Sequence, residues 1–255
     1  MEAVILITAL GLAWGSFLNV VIFRLPEGLS LAKPRSFCPQ CRAAIPFYDN
    51  IPLLSYFILG GKCRKCGARI PSSYLLVEAL TPACFLLIYM AFGLGVHFFA
   101  SGLFCSGLIA LGFIDFRHQV LPDILTLPGF ALSLGYSFVR PDLGPVQSLI
   151  GAASGAGFLL LVYGLYYLVK KKEGLGLGDV TLMLFIGAFL GWRLSLLTLI
   201  LASVVGALVG VFFILRKKKT LQFALPFGTF LAPAAIIALL WGDKIIAAYL
   251  SLYRP

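Results

Sequence analysis

Apolar runs close to the length of a membrane-crossing helix recur along the whole chain of 255 residues. About 20 apolar residues in a helix span the hydrocarbon of a bilayer, where the backbone must satisfy its own hydrogen bonds. Hydrophobic residues make up 60% of the sequence and charged residues only 12%, which excludes an ordinary soluble domain. We therefore predict an all-α polytopic membrane protein of about eight transmembrane helices, over about 2–23, 73–92, 97–115, 123–139, 146–169, 178–191, 194–215 and 226–250.

The basic residues are distributed unevenly among the predicted loops. Residues 24–69 contain eight of them against two acids, Glu27 and Asp49. The positive-inside rule therefore places this segment in the cytoplasm and the N-terminus outside. Counting helices forward puts Arg117 and the basic clusters at 170–172 and 216–219 on the same cytoplasmic side.

Two CxxC pairs, Cys38-Pro-Gln-Cys41 and Cys63-Arg-Lys-Cys66, lie in the predicted cytoplasmic segment. Paired CxxC units hold a tetrahedral Zn²⁺ through four thiolates, so all four cysteines are candidate ligands. Disulfides are the alternative, and the reducing cytoplasm disfavours them. Gly67, directly after the second pair, allows the positive φ that often follows such a turn.

A metal in this segment should have a structural role, because no ligand that could activate water is evident. Residues 25–72 are too few and too polar to build a core without it. The sequence thus predicts a first transmembrane helix over 1–24, a cytoplasmic tetracysteine zinc domain over 25–72 and a transmembrane core over 73–255.

Two aspartates, Asp115 and Asp179, flank long apolar runs on what the predicted topology makes one side of the bilayer. Ionisable groups in or beside spanning helices are costly and usually functional. Two carboxylates that share one proton are the working parts of an aspartic protease. A structural role remains open for Asp179, since the dipole at a helix N-terminus favours a negative charge. The same dipole disfavours Asp115 at a helix C-terminus.

Other candidate groups have simpler interpretations. We interpret Asp123 as a helix N-cap, Glu78 as an interfacial acid or an orienting group, and His118 as a solvated histidine. The glycines over 174–178 lack the ending of a phosphate loop and predict close backbone approach to Asp179. The absence of HExxH and GxSxG motifs argues against zinc and serine hydrolases.

The chain resembles the type IV prepilin peptidases, also called type II secretion leader peptidases, nearly from end to end. The motifs that carry this resemblance are Gly15-Ser-Phe-Leu-Asn-Val-Val-Ile-Phe-Arg-Leu-Pro26, the two CxxC pairs, Asn50-Ile-Pro52, Tyr74-x3-Glu78, Ile114-Asp115 with Leu121-Pro-Asp123, and Gly176-Leu-Gly-Asp179. The resemblance implies that Asp115 and Asp179 are catalytic and that Cys38, Cys41, Cys63 and Cys66 bind zinc.

The resemblance also implies an activity. Such enzymes cleave the basic leader of prepilins or pseudopilins, which have a single transmembrane helix, after a glycine at the cytoplasmic membrane face. They also methylate the new N-terminus from S-adenosylmethionine.

Two alternatives from other classes remain open. A transporter would use the acids as proton or ion relays near the middle of the bilayer. A non-enzymatic membrane assembly factor would use residues 25–72, the cysteine segment, for docking. The net charge of +10 follows from topology and anionic lipid, so it predicts no nucleic-acid partner.

Overall fold

A computed structural model describes residues 1–171, 176–217 and 226–252. The predictions that involve Lys172, Gly174, Lys218 and Lys219 therefore lie outside the described residues. Within the described ranges the chain forms the helices α1 (Glu2–Arg24), α2 (Leu54–Ile58), α3 (Ser72–Phe92), α4 (Val96–His118), α5 (Asp123–Tyr136), α6 (Pro145–Lys170), α7 (Leu177–Lys217) and α8 (Gly228–Ser251). A 3₁₀ turn, Phe47–Asn50, and two isolated antiparallel bridges, Phe37 with Ala44 and Lys62 with Arg69, complete these parts of the chain.

Six helices in the described ranges are long and apolar enough to cross a membrane. They are α1, α3, α4, α6, α7 and α8. The predicted helices over 178–191 and 194–215 both lie within α7, which is broken at Gly191 (φ 75°, ψ 172°). A residue with a side chain rarely adopts this backbone conformation, and glycine adopts it without penalty. The prediction of an all-α polytopic membrane protein is confirmed.

Two predicted helix ends differ from the structure by three residues each. The helix α4 continues to His118, so Asp115 lies in its last turn instead of closing it. The helix α5 ends at Tyr136, three residues before the predicted end. The Ser137 hydroxyl donates to the Leu134 carbonyl (2.6 Å) at this point, and a side chain that satisfies a terminal carbonyl helps the helix to stop there.

The described chain divides into two compact units, Met1–Gly102 and Leu103–Pro255. In the first unit, α1 packs against α3 at Gly11 and Gly15. A Cβ atom at Gly11 would lie 2.5 Å from Cα of Pro82, so the two backbones approach closely only because a side chain is absent. The three-part division into 1–24, 25–72 and 73–255 remains a prediction.

In the second unit, α6 packs against α7 at four glycines, Gly151, Gly155, Gly187 and Gly191. A Cβ atom at Gly151 would collide with the Gly187 carbonyl oxygen, and one at Gly155 would lie 2.5 Å from the Met183 side chain. The Ser148 hydroxyl donates to the Ala188 carbonyl (2.7 Å) across the same interface. The glycines at 151 and 155 and at 187 and 191 have the small-xxx-small spacing that is typical of tight helix packing in membranes.

The break in α7 has its own polar support. At Gly191 the first half of the helix ends, and its last carbonyl groups lose their partners in the next turn. Arg140 donates to one of them, the Phe189 carbonyl (2.7 Å), and holds a bidentate pair with Asp142 (2.7 Å for both bonds). The Phe189 carbonyl, at the end of the first half of α7, therefore has a side-chain partner.

Candidate active site and metal site

Asp115 lies in the last turn of α4 and is buried, with 5% of its surface exposed. Its carboxylate accepts two hydrogen bonds at the same oxygen, Oδ2. The backbone N–H of Thr229 donates one (2.7 Å) and the Thr229 hydroxyl donates the other (3.1 Å). The carboxylate of α4 is therefore held by the first turn of α8.

Asp179 lies in the first turn of α7 and is also buried, with 7% exposed. The backbone N–H groups of Gly176 and Gly228 interact with its carboxylate. The Asp115 carboxylate is close enough to act on it electrostatically. The structure thus brings together the two aspartates that the sequence predicted as a pair, at the point where α4 ends and α7 and α8 begin.

Glycines allow this close approach. A Cβ atom at Gly228 would lie 3.0 Å from Oδ2 of Asp115 and 3.0 Å from Cδ1 of Leu121. One at Gly178 would lie 2.9 Å from Cβ of Leu121. The prediction that the glycines before Asp179 permit close backbone approach is confirmed at Gly178, where the neighbour is the turn before α5.

The sequence analysis missed Gly228 and Thr229. Both belong to the start of α8, about 50 residues beyond Asp179 in a helix that has no charged residue before Asp243. The sequence around them, Pro226-Phe-Gly-Thr229 directly before an apolar run, is typical of a helix start and could have indicated only that. Nothing in that pattern indicates which distant carboxylate the helix start contacts.

The interpretation of Asp123 as an N-cap is wrong. Pro122 occupies the N-cap position of α5, and no side chain caps this helix end. Asp123 is the first helical residue, and its Oδ1 accepts hydroxyl hydrogen bonds from Thr181 (3.1 Å) and Thr126 (3.4 Å). The hydroxyl of Thr181 in α7 draws the carboxylate away from its own helix terminus and links α5 to the turn that contains Asp179.

Glu78 has a more specific role than that of an interfacial acid. Its Oε2 accepts the backbone N–H of Leu53 (2.8 Å), a residue with φ of 60° in the cysteine segment. Its Oε1 accepts from the Asn19 side chain (3.4 Å), which also donates to the Tyr74 carbonyl (3.1 Å). Glu78 thus ties the segment between α1 and α3 to both helices. His118 is exposed, as its interpretation as a solvated residue expects.

The four predicted metal ligands form a cluster in the first unit. The sulfur atoms of Cys38, Cys41, Cys63 and Cys66 all lie within 4.8 Å of one another. The Sγ atoms of Cys38 and Cys66 are 3.8 Å apart. A tetrahedral site with zinc–sulfur bonds of about 2.3 Å places its sulfurs roughly 3.8 Å apart, so these residues fit a bound metal ion. The cluster could hold a metal.

Both CxxC pairs fold in the same way. In the first, the Arg42 N–H donates to the Cys38 carbonyl (2.9 Å) and Arg42 has φ of 58°. In the second, the Gly67 N–H donates to the Cys63 carbonyl (2.9 Å) and Gly67 has φ of 70°, which confirms the prediction of a positive φ there. Each turn is closed by one of the two antiparallel bridges. The two turns therefore present their sulfurs from matching positions.

The electrostatics of the second turn favour a thiolate at Cys63. At Cys66 the hydrogen bond from the backbone of Ala68 lowers the pKa of the thiol, but burial and the neighbouring cysteines outweigh it and raise this pKa to about 11. Hydrogen bonds from the backbone N–H groups of Cys66 and Lys65 lower the pKa of the Cys63 thiol to about 6. Arg64, in the same turn, forms a bidentate pair with Asp49 (2.6 and 2.8 Å), and this hydrogen bonding lowers the pKa of the Asp49 carboxyl. The turn is thus tied to the 3₁₀ segment, and thiolate is the form that binds metals.

Comparisons with known proteins agree with this arrangement. Residues 9–92 match the bacterial peptidase A24 N-terminal domain, and residues 102–211 match the type IV leader peptidase family. A relative from Pseudomonas putida is 38% identical over 97% of this chain and 93% of its own length. The chain belongs to the type IV leader peptidase family. The resemblance stated from the sequence motifs is therefore confirmed.

Other members of the family show similar coverage. The relative from Pseudomonas aeruginosa is 41% identical over 94% of this chain and 91% of its own length, and that from Legionella pneumophila is 36% identical over the same shares. All three relatives are named prepilin leader peptidase/N-methyltransferase. Because these relatives are named as enzymes, the comparisons do not favour the two alternatives from the sequence, a transporter and a non-enzymatic membrane assembly factor. No solved structure matches the chain.

The matched ranges divide the candidate groups between them. The four cysteines and Glu78 lie in the range of the N-terminal domain, and both aspartates lie in the range of the peptidase family. Gly228 and Thr229 lie beyond both ranges. Neither family match therefore implies the contact between α8 and the aspartates, which is a feature of the tertiary structure.

Proposed function

We propose that the chain is an aspartic endopeptidase of the bacterial cytoplasmic membrane that cleaves the leader of prepilins or pseudopilins. Asp115 and Asp179 are its catalytic pair. The observation that supports this most is that two buried carboxylates, from the last turn of α4 and the first turn of α7, meet at the start of α8. The names of the relatives support the class of substrate.

The chemistry of such a pair follows from one shared proton. The ionised carboxylate takes a proton from a water molecule as the water oxygen attacks the scissile carbonyl carbon. The protonated partner donates its proton to the carbonyl oxygen, and a tetrahedral intermediate forms. When the carbon–nitrogen bond breaks, a proton passes to the leaving amine and the pair returns to its starting state.

The location of the pair matches the form of the substrate. A prepilin with a single transmembrane helix would present the bond between its cytoplasmic leader and that helix at the membrane face. The proposed topology has the N-terminus outside and counts α5 and each half of α7 as separate crossings, so that the ends of α4 and α7 that carry the aspartates face the cytoplasm. Water reaches that depth, whereas the middle of the bilayer excludes it.

A second activity, methylation of the new N-terminus from S-adenosylmethionine, is proposed from the names of the relatives. Bound S-adenosylmethionine would supply the methyl group. The peptidase step must come first, because the amine that is methylated does not exist before cleavage.

We further propose that the bound metal is Zn²⁺ and that its role is structural. Cys38, Cys41, Cys63 and Cys66 would hold it, and the cluster offers four sulfur ligands with no position for a reacting water. The metal would stabilise the fold of residues 25–72, together with the contact from Glu78 to Leu53.

The test of the peptidase is a cleavage assay with the purified protein and a synthetic prepilin. Asp115→Asn and Asp179→Asn should each abolish cleavage while the protein still inserts and accumulates. Asp243→Asn is the matched control, since this exposed aspartate lies near the other end of α8. Near wild-type cleavage by either variant of the pair would refute the assignment.

The test of the metal is elemental analysis of the purified protein, with Cys63→Ser alongside. We expect one zinc per chain and its loss in the variant, whereas Cys84→Ser should keep the metal because Cys84 lies in α3 and outside the cluster. An absence of stoichiometric zinc in the wild-type protein would contradict the proposal.

A further inference from the structure

The start of α8 contacts both carboxylates of the pair. Two successive backbone N–H groups act on them: that of Thr229 donates to Asp115 (2.7 Å), and that of Gly228 lies close enough to Asp179 to stabilise its carboxylate electrostatically. The aspartates belong to different helices, and a single rigid turn that contacts both of them can set their separation.

The Thr229 hydroxyl adds a second bond on one side of the pair. It donates to Oδ2 of Asp115 (3.1 Å), the same oxygen that accepts the backbone N–H. The Gly112 carbonyl, one turn earlier in α4, is a longer alternative acceptor for this hydroxyl (3.4 Å). Two donors on one oxygen fix the rotation of the carboxylate about its Cβ–Cγ bond. Oδ1 then remains the oxygen that can face a reactant.

Gly228 is required by the same geometry. A Cβ atom there would lie 3.0 Å from Oδ2 and 3.2 Å from Cγ of Asp115. Its backbone φ is not unusual, so glycine is needed at this position for space alone. A side chain there would press on the Asp115 carboxyl group and on Leu121, and one of them would have to shift by a few tenths of an ångström.

We propose that Gly228 and Thr229 form a positioning element for the peptidase, holding the Asp115 carboxylate so that Oδ1 faces the reactants beside Asp179. This inference rests on the proposed function of the aspartate pair. Neither residue touches the substrate in this proposal, and both act through Asp115. The element lies outside the two sequence ranges that match the family.

The first experiment measures the kinetics of leader cleavage for Thr229→Val, Thr229→Ser and Gly228→Ala. Thr229→Val keeps the shape and the backbone N–H but removes the hydroxyl. Its kcat should fall by roughly 10- to 100-fold, the value of one hydrogen bond to a charged group, with KM unchanged. Thr229→Ser restores the hydroxyl and should recover most of the lost activity, and Gly228→Ala should lower kcat at least as much as Thr229→Val.

Matched controls use the same substitutions elsewhere in the second unit. The Thr198 hydroxyl is buried and donates only to the Leu194 carbonyl of its own helix (2.8 Å), so Thr198→Val should leave kcat and KM near the wild-type values. A Cβ atom at Gly157 of α6 meets no atom within 4 Å, so Gly157→Ala should do the same. A rise in KM with constant kcat in Thr229→Val would overturn the proposal, because it would mean that Thr229 binds substrate.

A second experiment tests the contact without any activity. Thr229→Val is introduced into the wild-type protein and into Asp115→Asn, and the thermal stability of all four proteins is compared. The loss should be smaller in the Asp115→Asn background, because a neutral amide oxygen accepts a weaker hydrogen bond than a carboxylate. Equal losses in both backgrounds would overturn the proposal.

The outcomes separate this inference from the proposed function. If Asp115→Asn and Asp179→Asn still cleave the leader, the catalytic assignment fails, whatever Thr229 does. If both are inactive while Thr229→Val and Gly228→Ala behave as the wild-type protein, the assignment stands and the positioning element is refuted.

Discussion

The contact between α6 and α7 at Gly151 offers a sharp test of the packing that supports Asp179. A Cβ atom at Gly151 would collide with the Gly187 carbonyl oxygen and would lie 2.7 Å from Cα of Gly191. Ordinary contacts of a Cβ atom begin at 3.4 Å. In Gly151→Ala the two backbones must therefore separate by about 0.7 Å or more, and close-packed interiors do not yield such space freely.

The expected cost can be estimated from this overlap. Overpacking of this kind costs roughly 1–3 kcal/mol in the free energy of unfolding. For a chain of this size that corresponds to a melting temperature lower by roughly 2–12 °C. Because α7 begins beside Asp179, the displaced helix should also lower the rate of leader cleavage.

The measurement is the melting temperature of the purified protein in detergent, followed by intrinsic fluorescence. Gly157→Ala is the control, since it adds the same methyl group to the same helix in open space. This control should melt slightly higher than the wild-type protein, because alanine is favoured over glycine inside a helix by about 0.5–1 kcal/mol. A Gly151→Ala protein that melts as high as Gly157→Ala would refute the inference that backbone contact at these glycines holds α6 and α7 together.

Three further predictions concern polar contacts. Glu78→Ala should increase proteolysis within residues 25–71, because the Leu53 N–H loses its acceptor, at a cost of about 1–3 kcal/mol. Arg140→Gln should lower the melting temperature, whereas Arg193→Gln should not, because Arg140 alone of the two has a hydrogen bond to the break in α7, at the Phe189 carbonyl. Since Arg64 lowers the pKa of the Asp49 carboxyl, their pair is fully formed at neutral pH and is lost only as the pH falls below the ordinary value of 3.8. Asp49→Asn should therefore increase proteolysis of the cysteine segment at pH 7, and an equal effect of this variant at pH 2 would contradict the assignment.

Local patterns were sufficient for much of this protein. Apolar runs of membrane-spanning length predicted the helices, because a backbone in lipid has no alternative to internal hydrogen bonding. The CxxC spacing predicted the sulfur cluster, because the two cysteines of each pair lie in one tight turn. The tertiary fold then has to bring only the two turns together. The aspartates were identifiable because a carboxyl group beside an apolar run is costly unless it has a function.

Helix ends were less predictable, since they depend on partners from elsewhere in the chain. Asp123 has the residue type of an N-cap and directly precedes an apolar run. Its carboxylate nevertheless accepts a hydrogen bond from the Thr181 hydroxyl of α7 (3.1 Å) and does not cap its own helix. The apolar segments over 178–191 and 194–215 were predicted as separate helices, and the non-helical conformation of Gly191 does separate them within α7. At Asp123 a contact with a distant helix therefore outweighed the local preference.

The sequence by itself determined the class of fold, the family, the cysteine cluster and the identity of the two aspartates, because each depends on residue type and short spacing. Only the tertiary structure decided what holds the aspartates together. Thr229 lies 114 residues from Asp115 and carries no charge, so no local pattern links the two. Their hydrogen bond exists because α8 begins where α4 ends, and that meeting is set by the packing of several helices at once, including the glycine contacts of α6 with α7.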